Sequence, residues 1–461
     1  MPRFLSVKPD TRLITLPWGT PLAEWPTDIL VALPRGISRH VVRFVKVGRE
    51  VYAVKEVLEH LARHEFSLLR DLERLDTPSV EAVGVVVGRA DGDEPLDPIL
   101  VTRHLQFSLP YRSLFTRGVR QDTVNRLVDA MVVLLARLHL IGFLWGDVSL
   151  SNTLFRRDAG AFAAYLVDAE TGELHDKLTD GQREHDLQIA RTNLFGEFSD
   201  LEAGGLLDEA LDPLVLVETI ESRYRELWAE LTEVEEFSGT EMHRIDSRVR
   251  RLNALGFDVA ELDITTDFAG STIRIQPKVV DPGHHARRLL RLTGLDTEEN
   301  QARRLLNDLD YFRAVTDQQG ADESIVAHQW LTSRFEPVVS SVPADLRGKL
   351  EPAEVYHEVL EHRWFQSEQQ GHEVPIQDAA QSYMQNVLGS LPDEKIALSS
   401  IASMGPLANP YDPSQGYDDD DEDAPPYDPW EDDEGAAEDD EPASSAGFLD
   451  IAALRARAGK G

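Results

Sequence analysis

The sequence contains no cysteine. This absence excludes disulfide bonds, thiolate metal sites and a cysteine nucleophile, and it is typical of a reducing compartment. No apolar run reaches the roughly 18–20 residues that a membrane-spanning helix needs. Residues 1–19 also lack the apolar core and the small-residue cleavage site of a signal peptide. We therefore expect a cytoplasmic protein with no membrane span.

Positive charge is scarce as well. The chain has 46 Lys and Arg residues against 82 Asp and Glu residues, which gives a formal net charge of -36. From Asp412 to Glu441 there are 16 acidic residues and no Lys or Arg, and subtracting these 16 charges from -36 leaves -20 for the remainder. Because phosphate backbones are bound by positive surfaces, we exclude nucleic acid as a partner.

The chain does contain enough apolar material for a folded core. Of its 461 residues, 42% are hydrophobic, and this length favours two or three domains. From shifts in composition and pattern we predict four regions. They are an N-terminal segment (1–24), a first domain (25–256) that is strand-rich up to about 105 and helical after it, a mixed but mainly helical second domain (257–400), and a disordered acidic tail with a short terminal helix (401–461).

The spacing of apolar residues predicts the order of elements. Runs of β-branched residues predict strands at 29–33, 40–47, 51–57, 80–88 and 98–105. Helical spacing predicts helices at 58–75 and 121–141, and residues 184–256 are predicted to be largely helical. In the second domain we predict paired strands at 257–267 and 271–280, followed by helices at 284–294, 298–317, 322–337, 352–367 and 376–389.

One loop contains the most specific signal. In "FLWGDVSLSNTLF", residues 143–155, Asp147 and Asn152 lie five positions apart between two apolar runs. A solvated turn is the plainest interpretation, because Asp, Ser and Asn are common turn residues. Three further polar residues occupy ordered places around this loop. They are Lys55 in the strand motif "YAVK", Glu65 on the next predicted helix, and Asp168 at the abrupt end of the apolar run "AAYLVD".

This order resembles the protein kinase-like superfamily, whose catalytic stretch often follows the pattern L-H-x-x-G-x-x-H-G-D-x-x-x-x-N. Trp145 replaces the second histidine of the pattern, and the matching positions are Leu138, His139, Gly142, Gly146, Asp147 and Asn152. The resemblance covers about residues 25–200. It is closest to the bacterial lipopolysaccharide-kinase-like and small-molecule kinase-like group, and to a bacterial family that joins such a domain to a C-terminal domain of unknown function. It implies an α+β fold class, with a two-lobed kinase-like domain followed by an α-rich second module.

The resemblance implies a phosphoryl transfer that uses ATP and Mg²⁺, a reaction that depends mainly on positioning and charge neutralisation. A buried lysine held by a helix carboxylate can bind the nucleotide phosphates, and a carboxylate can accept the proton of the acceptor hydroxyl. Oxygen ligands suit Mg²⁺. The corresponding assignments are Lys55, Glu65 and Gly36 for the nucleotide, Asp147 for catalysis, Asn152 and Asp168 for the metal, and Gly146 and Asp186 for structural support of the loop.

Each assigned residue also has a structural interpretation. Lys55 could face solvent on an alternating strand, and Gly36 could be an ordinary turn glycine. The two aspartates Asp168 and Asp186 could lie at the surface. Other acidic residues compete with Glu65 as the partner of Lys55, namely Glu56, Glu59 and Glu73.

Three departures from the kinase pattern bear on function. Ala169 and Glu170 follow Asp168 where protein kinases have Phe-Gly, the predicted phosphate loop has one glycine instead of three, and no long segment for docking a peptide follows. We therefore predict phosphotransfer to a hydroxyl of a small molecule or glycan. The alternative is a pseudokinase, a nucleotide-binding scaffold that engages a protein partner through its C-terminal domain or tail. A pure interaction protein would need the order of the motif residues to be accidental.

Overall fold

An antiparallel sheet of six strands forms the N-terminal part of the chain in the computed structural model. The structure describes residues 2–6, 10–31, 40–48, 50–115, 121–232, 235–238, 252, 257–266 and 272–391. The strands are β1 (Arg3–Ser6), β2 (Leu30–Val31), β3 (Val41–Val47), β4 (Glu50–Glu56), β5 (Ala82–Val87), β6 (Arg89–Asp91), β7 (Glu94–Leu96), β8 (Ile99–Arg103), β9 (Ser108–Pro110), β10 (Phe143–Leu144), β11 (Thr153–Asp158), β12 (Ala161–Leu166), β13 (Glu173–Leu174), β14 (Glu235–Ser238), β15 (Phe257–Thr266) and β16 (Thr272–Pro282). The helices are α1 (Glu59–Arg74), α2 (Tyr111–Leu114), α3 (Gln121–Leu140), α4 (Asp180–Ala203), α5 (Pro213–Thr232), α6 (His284–Thr293), α7 (Glu299–Val315), α8 (Glu323–Trp330), α9 (Glu336–Ser340), α10 (Pro352–Gln370) and α11 (Ile376–Asn386).

The N-terminal lobe is built on the strand order β1-β5-β8-β4-β3-β2. Because side chains alternate along a strand, β4 sends Tyr52 and Val54 to one face of the sheet and Lys55 to the other. Helix α1 packs on the face of Lys55, where Ala62 joins a buried cluster with Leu100. This arrangement brings the side chain of Glu65 on α1 within reach of Lys55.

The opposite face of the sheet is covered by the N-terminal segment. Two short 3-10 turns, Thr11–Thr15 and Leu22–Glu24, place its apolar side chains against the strands. The buried residues of the segment are Leu13, Leu16, Trp18, Leu22 and Trp25, and they pack with Val45, Tyr52, Val54 and Val101. These five side chains of the N-terminal segment are therefore part of the core of the N-terminal lobe.

The C-terminal lobe consists of helices α3, α4 and α5 with two small sheets. One sheet has the order β12-β11-β9, and the other pairs β10 with β13. The apolar stripe predicted for residues 121–141 is buried on α3, in a core that also includes Trp145, Phe155, Phe198 and Tyr224. The hairpin of β11 and β12 lies on this core and projects toward the second part of the chain.

The second part of the chain has its own core. A three-stranded sheet with the order β14-β16-β15 precedes the helices α6 to α11. Among the helices, Trp330 and Tyr356 are fully buried, and both donate hydrogen bonds of 2.7 Å to Oδ2 of Asp308. A buried carboxylate with two donors is satisfied, so this polar group is compatible with the apolar core.

The stretch 184–256 is largely helical among its described residues, as predicted, but it also contains one short strand that the pattern does not indicate. Helices α4 and α5 occupy most of residues 184–232, and Glu235–Ser238 form β14, which pairs with β16. A strand of four residues is too short for its period to appear in the sequence, and its partner lies more than 30 residues further along the chain. The domain boundary near residue 257 stays a prediction. Gly36 and the acidic tail lie outside the described residues. Among the helices that the structure describes, we find none with the length and hydrophobicity of a membrane span.

Arg89 fastens the N-terminal segment to the sheet, and its loss should destabilise the protein. The buried guanidinium donates to the carbonyl oxygens of Trp18 and Thr20 at 2.9 and 2.7 Å and to Oε1 of Glu56 at 2.6 Å. Removing one partner of a buried ion pair typically costs about 3–5 kcal/mol. We expect Arg89→Met to lower the free energy of unfolding by about this amount in a urea titration.

The matched control is Arg63→Met. Arg63 forms an exposed ion pair with Glu59 on α1, and such pairs contribute roughly 0–1 kcal/mol. Equal effects of the two substitutions would show that the contacts of Arg89 contribute little to stability.

Candidate active site

Lys55 lies at the junction of the two lobes, where three carboxylates contact its ammonium group. Nζ is 3.1 Å from Oε2 of Glu65, 2.9 Å from Oδ2 of Asp168 and 2.7 Å from Oε2 of Glu170. Glu65 belongs to α1 in the N-terminal lobe, whereas the other two follow β12 in the C-terminal lobe. One ammonium group therefore joins a strand and a helix of one lobe to a loop of the other.

The three carboxylates carry more negative charge than one ammonium group neutralises. Burial opposes the charged form of Lys55, but the field of Glu65 and Asp168 outweighs it, so the pKa of Lys55 is raised. Burial, reinforced by Asp168, raises the pKa of Glu65, although the positive charge of Lys55 opposes this shift. Burial also opposes the charge of Glu170, but hydrogen bonds from Lys55 and His40 hold the pKa of Glu170 below its usual range. Glu65 therefore takes up a proton more readily than Glu170.

Asp147 is oriented by two amide side chains. Nδ2 of Asn152 donates to Oδ2 of Asp147 over 2.9 Å and to the backbone carbonyl of Asp147 over 3.1 Å. Nδ2 of Asn193, which is on α4, donates to Oδ1 of Asp147 over 3.0 Å. A carboxylate offers about four lone-pair positions, so each oxygen of Asp147 can still accept a further proton or hydrogen bond.

Helix α4 supports the loop with three polar side chains on one face. Asp186 accepts the backbone N–H groups of residues 145–146 at 2.7 and 2.8 Å. Glu197 accepts the backbone N–H groups of residues 150–151 at 2.7 and 2.8 Å. Asn193 lies between these two residues on the helix and donates to the carboxylate of Asp147. Positions separated by 7 and 11 residues share a helix face because a helix has 3.6 residues per turn, and this face fixes the whole length of the loop.

A third partner of Asp186 comes from the end of α3. Nε2 of His139 is 3.1 Å from Oδ2 of Asp186, and Nδ1 of His139 is 2.6 Å from the hydroxyl of Tyr224. Because an ionised carboxylate can only accept, Nε2 carries the proton and the tyrosine donates to Nδ1. Burial lowers the pKa of His139 although Asp186 opposes this shift. A neutral imidazole thus connects α3 to the support of the loop.

Gly146 is required by the shape of the loop. Its φ is 74°, a backbone conformation that disfavours other residues, and an added Cβ would lie 2.9 Å from the carbonyl oxygen of Thr171. The neighbouring Trp145, at the position of the second histidine of the kinase pattern, is fully buried in the core of the lobe. Its carbonyl accepts a hydrogen bond of 3.0 Å from Oγ1 of Thr171. The loop and the segment after Asp168 are thereby held against each other.

The oxygen atoms around Asp168 suit a hard divalent cation. Within the described part of the chain, Glu65, Asp168 and Glu170 can each offer one oxygen, and these oxygens all lie within 4.8 Å of one another. The backbone N–H of Val167 donates to the backbone carbonyl of Asn152 over 3.0 Å, which places the backbone of Asn152 beside the residue that precedes Asp168. Carboxylate and amide oxygens are the ligands that Mg²⁺ prefers, so the donor set fits this ion.

The structure brings together most of the residues assigned from the sequence. Lys55, Glu65 and Asp168 meet at the lobe junction, and Asp147 with Asn152 occupies the adjacent loop. The positions of the supporting residues are those described above, and Gly36 lies outside the described residues. The contacts of Glu170, Asn193 and Glu197 were not predicted from the sequence. Their signal was weak, consisting of polar residues on the otherwise apolar inner face of α4 and an acidic residue two positions after Asp168.

Loss of Asp186 should destabilise the lobe, because its carboxylate satisfies three N–H donors. Each buried donor left unpaired costs about 1–3 kcal/mol. We expect Asp186→Ala to lower the free energy of unfolding by about 3 kcal/mol or more, seen as a fall in melting temperature of roughly 6–12 °C. Asp180→Ala is the control, since Asp180 begins the same helix and its side chain is 98% exposed. A melting temperature of Asp186→Ala equal to that of the control would contradict a supporting role.

Two parts of the chain are similar to known protein families. Residues 41–200 match the Lipopolysaccharide kinase (Kdo/WaaP) family, and residues 226–388 match a domain of unknown function, DUF4032. No curated protein matches the chain. One similar solved structure is titled "WaaP in complex with acyl carrier protein"; it shares 18% sequence identity, and the match covers 55% of this chain and 99% of that chain with a TM-score of 0.32.

The predicted fold class is confirmed for the described residues: an α+β architecture with a two-lobed kinase-like domain and an α-rich second module. The resemblance drawn from the motif order is confirmed as well. Residues 41–200 are similar to the lipopolysaccharide kinase (Kdo/WaaP) family, and residues 226–388 are similar to a domain of unknown function, DUF4032.

Proposed function

We propose that the protein is a phosphotransferase that moves the γ-phosphoryl group of ATP to a hydroxyl of a small molecule or glycan. The observation that carries this proposal is the contact of Lys55 with Glu65 on one side and Asp168 on the other, directly beside the loop of Asp147 and Asn152. Phosphoryl transfer needs positioned charges of this kind more than it needs covalent help.

Each side chain has a distinct task in this proposal. Lys55, oriented by Glu65, donates hydrogen bonds to phosphate oxygens of the nucleotide. Asp147 lies beside the acceptor hydroxyl and accepts its proton while the hydroxyl oxygen bonds to the γ-phosphorus and ADP leaves. The amides of Asn152 and Asn193 hold the carboxylate in one orientation, and this preorganisation lowers the cost of reaching the transition state.

Asn152, Asp168 and Glu170 would hold Mg²⁺ through their oxygen atoms. When bound, the ion neutralises negative charge on the phosphates. Asp168 and Glu170 both contact Lys55 in this structure. The ammonium group and the ion would therefore share the negative charge of the same two carboxylates.

A short connection after Asp168 supports a non-peptide acceptor. Only 11 residues separate Asp168 from Asp180, the first residue of α4, and they include the short strand β13. This length leaves little chain for a surface that docks an extended peptide. The name of the matched family, lipopolysaccharide kinase, also favours a glycan hydroxyl.

The three carboxylate contacts of Lys55 favour a second candidate, a pseudokinase that serves as a nucleotide-binding scaffold. An ammonium group has three N–H donors, and in this structure Lys55 has three carboxylate partners. A phosphate can therefore reach Lys55 only if one carboxylate moves away. In the scaffold interpretation, the C-terminal domain or the tail would bind a protein partner.

Substitution of Lys55 tests the nucleotide site. A hydrogen bond from a charged donor contributes about 1.5–3 kcal/mol, so we expect Lys55→Met to weaken the binding of ATP with Mg²⁺ by about 10- to 100-fold. Isothermal titration calorimetry measures this affinity, and circular dichroism verifies that the variant is folded. Lys46→Met on the exposed side of β3 is the matched control. Unchanged affinity in a folded Lys55→Met protein would remove this residue from the site.

Substitution of Asp147 separates the enzyme from the scaffold. General-base assistance contributes about 10²–10⁴ in rate, so Asp147→Asn should lose at least this factor in transfer of labelled γ-phosphate from ATP to acceptors in a cell extract. Binding of ATP should persist, because Asn152 and Asp168 remain. Asp122→Asn, at the exposed start of α3, serves as the control. Wild-type protein that binds ATP but labels no acceptor would favour the scaffold.

A further inference from the structure

The β11–β12 hairpin connects two of the three residues proposed to hold the metal, Asn152 and Asp168. Asn152 immediately precedes β11, and Asp168 follows β12 by two residues. The two strands pair in a continuous antiparallel register from Thr153 with Leu166 to the tip. At the base of the hairpin, the N–H of Val167 donates to the carbonyl of Asn152 over 3.0 Å. The register of this hairpin therefore sets how Asn152 and Asp168 face each other.

The turn at the tip of the hairpin is conformationally demanding. Ala159 has a φ of 49° and Gly160 a φ of 81°. Positive φ at both central positions is the pattern of a two-residue hairpin turn of type I′. Glycine and asparagine adopt this conformation readily, whereas alanine does so at a cost. An external contact to the tip would offset this cost.

That contact comes from the C-terminal domain. The backbone N–H of Ala159 donates to Oε2 of Glu354 on α10 over 3.0 Å. The same oxygen accepts Nε2 of Gln301 on α7 over 2.9 Å, and Nε2 also donates to the carbonyl of Arg157 over 3.0 Å. Gln301 and Glu354 are 0% and 2% exposed. Two buried side chains of the second domain thus hold the backbone of the turn.

The residue before the turn is fixed in the same way. Oδ1 of Asp158 accepts the backbone N–H of Gln301 over 2.7 Å, and Oδ2 accepts Nδ2 of Asn300 over 2.9 Å. Both donors belong to residues in the first turn of α7, where backbone N–H groups such as that of Gln301 have no partner within the helix. The hairpin caps a helix of the C-terminal domain, and that helix in return orients the hairpin.

The flanks of the hairpin are held as well. Arg156 on β11 forms ion pairs with Glu298 at 3.0 Å and with Glu351 at 2.6 Å. The hydroxyl of Tyr165 on β12 donates to Oε1 of Glu298 over 2.7 Å. Contacts from the second domain therefore reach the tip and both strands, although the base of the hairpin lies beside the candidate active site.

We propose that the C-terminal domain is a positioning element for this site, with Gln301 and Glu354 as positioning residues that hold the hairpin in the register that aligns Asn152 with Asp168. This inference rests on the proposed function for its consequence in catalysis, but its structural core is independent of it. A slip of one residue in an antiparallel pair reverses the face of every side chain. A change of register at the tip would therefore also change how Asn152 and Asp168 face each other at the base.

The experiment compares amide hydrogen exchange in full-length variants. Glu354→Ala removes the acceptor of the Ala159 N–H, Glu354→Gln retains an acceptor oxygen, and Glu361→Ala changes an exposed glutamate on the same helix. Exchange at the amide of Val167 is measured by mass spectrometry with fragmentation that preserves single-residue resolution. We expect Glu354→Ala to accelerate this exchange by about tenfold or more, because loss of a buried partner opens the hairpin more often. Glu354→Gln and Glu361→Ala should remain close to wild type.

A second substitution tests the role of the turn itself. Ala159→Gly removes the cost of positive φ, so it should restore much of the protection of Val167 in the Glu354→Ala background. Faster exchange at Ala159 with unchanged exchange at Val167 would overturn the proposal, because the tip would then not be coupled to the base. Lack of rescue by Ala159→Gly would overturn the part of the proposal that concerns the turn.

A functional measurement follows the structural one. For wild type and the same variants, the dissociation constant of ATP is measured with and without Mg²⁺. Mg²⁺ should increase the affinity of the wild type for ATP. We expect this increase to be about tenfold smaller in Glu354→Ala, and we expect the affinity in the absence of Mg²⁺ to be unchanged. If wild type shows no gain from Mg²⁺, the proposed function fails while the exchange result still decides the coupling. If wild type shows the gain and Glu354→Ala retains all of it, the positioning role is overturned.

Discussion

The first domain depends on the ammonium group of Lys55. The oxygens of Glu65, Asp168 and Glu170 lie within 4.8 Å of one another, and like charges at such distances repel strongly where water is scarce. A single cation between them converts this repulsion into attachment between the lobes. Since Glu65 is on α1 and Asp168 follows β12, the same interaction that neutralises the carboxylates also fixes the closure of the cleft. As a result, the ammonium group of Lys55 already has three carboxylate partners, and a phosphate must displace one of them.

The loop beside Lys55 has a different kind of support. Its backbone N–H groups and the carboxylate of Asp147 are bonded by side chains from one face of α4. A helix is a rigid element, and groups that are held in place before the reaction do not have to be ordered during it. The polar residues of α4 thus explain how a loop rich in turn-forming residues can present a carboxylate in a single orientation.

Local pattern predicted much of this fold, because strands and helices leave periods of 2 and 3.6 in the sequence. The helix predicted at 121–141 corresponds to α3 and the strand predicted at 51–57 to β4. The order of Lys55, Asp147 and Asp168 was informative because each lies at the end or in the middle of a recognisable element. By contrast, Asn193 and Glu197 only interrupt the apolar inner face of α4, and nothing local shows that a loop some 45 residues earlier contacts them. The short strand β14 was missed for the same reason, since its identity depends on a distant partner. The roles of the site residues in catalysis stay predictions.

The attachment of the hairpin to the C-terminal domain has a consequence for protein synthesis. Ala159 and Glu354 are 195 residues apart. At about 5–20 residues per second, the ribosome adds that length in roughly 10–40 s. During this interval the nascent kinase-like domain already contains Lys55, Asp147 and Asp168, but the tip of its hairpin lacks its buried partners. A nascent or truncated chain therefore lacks the contact of the Ala159 N–H with Glu354, and this contact forms only after α10 has emerged and folded.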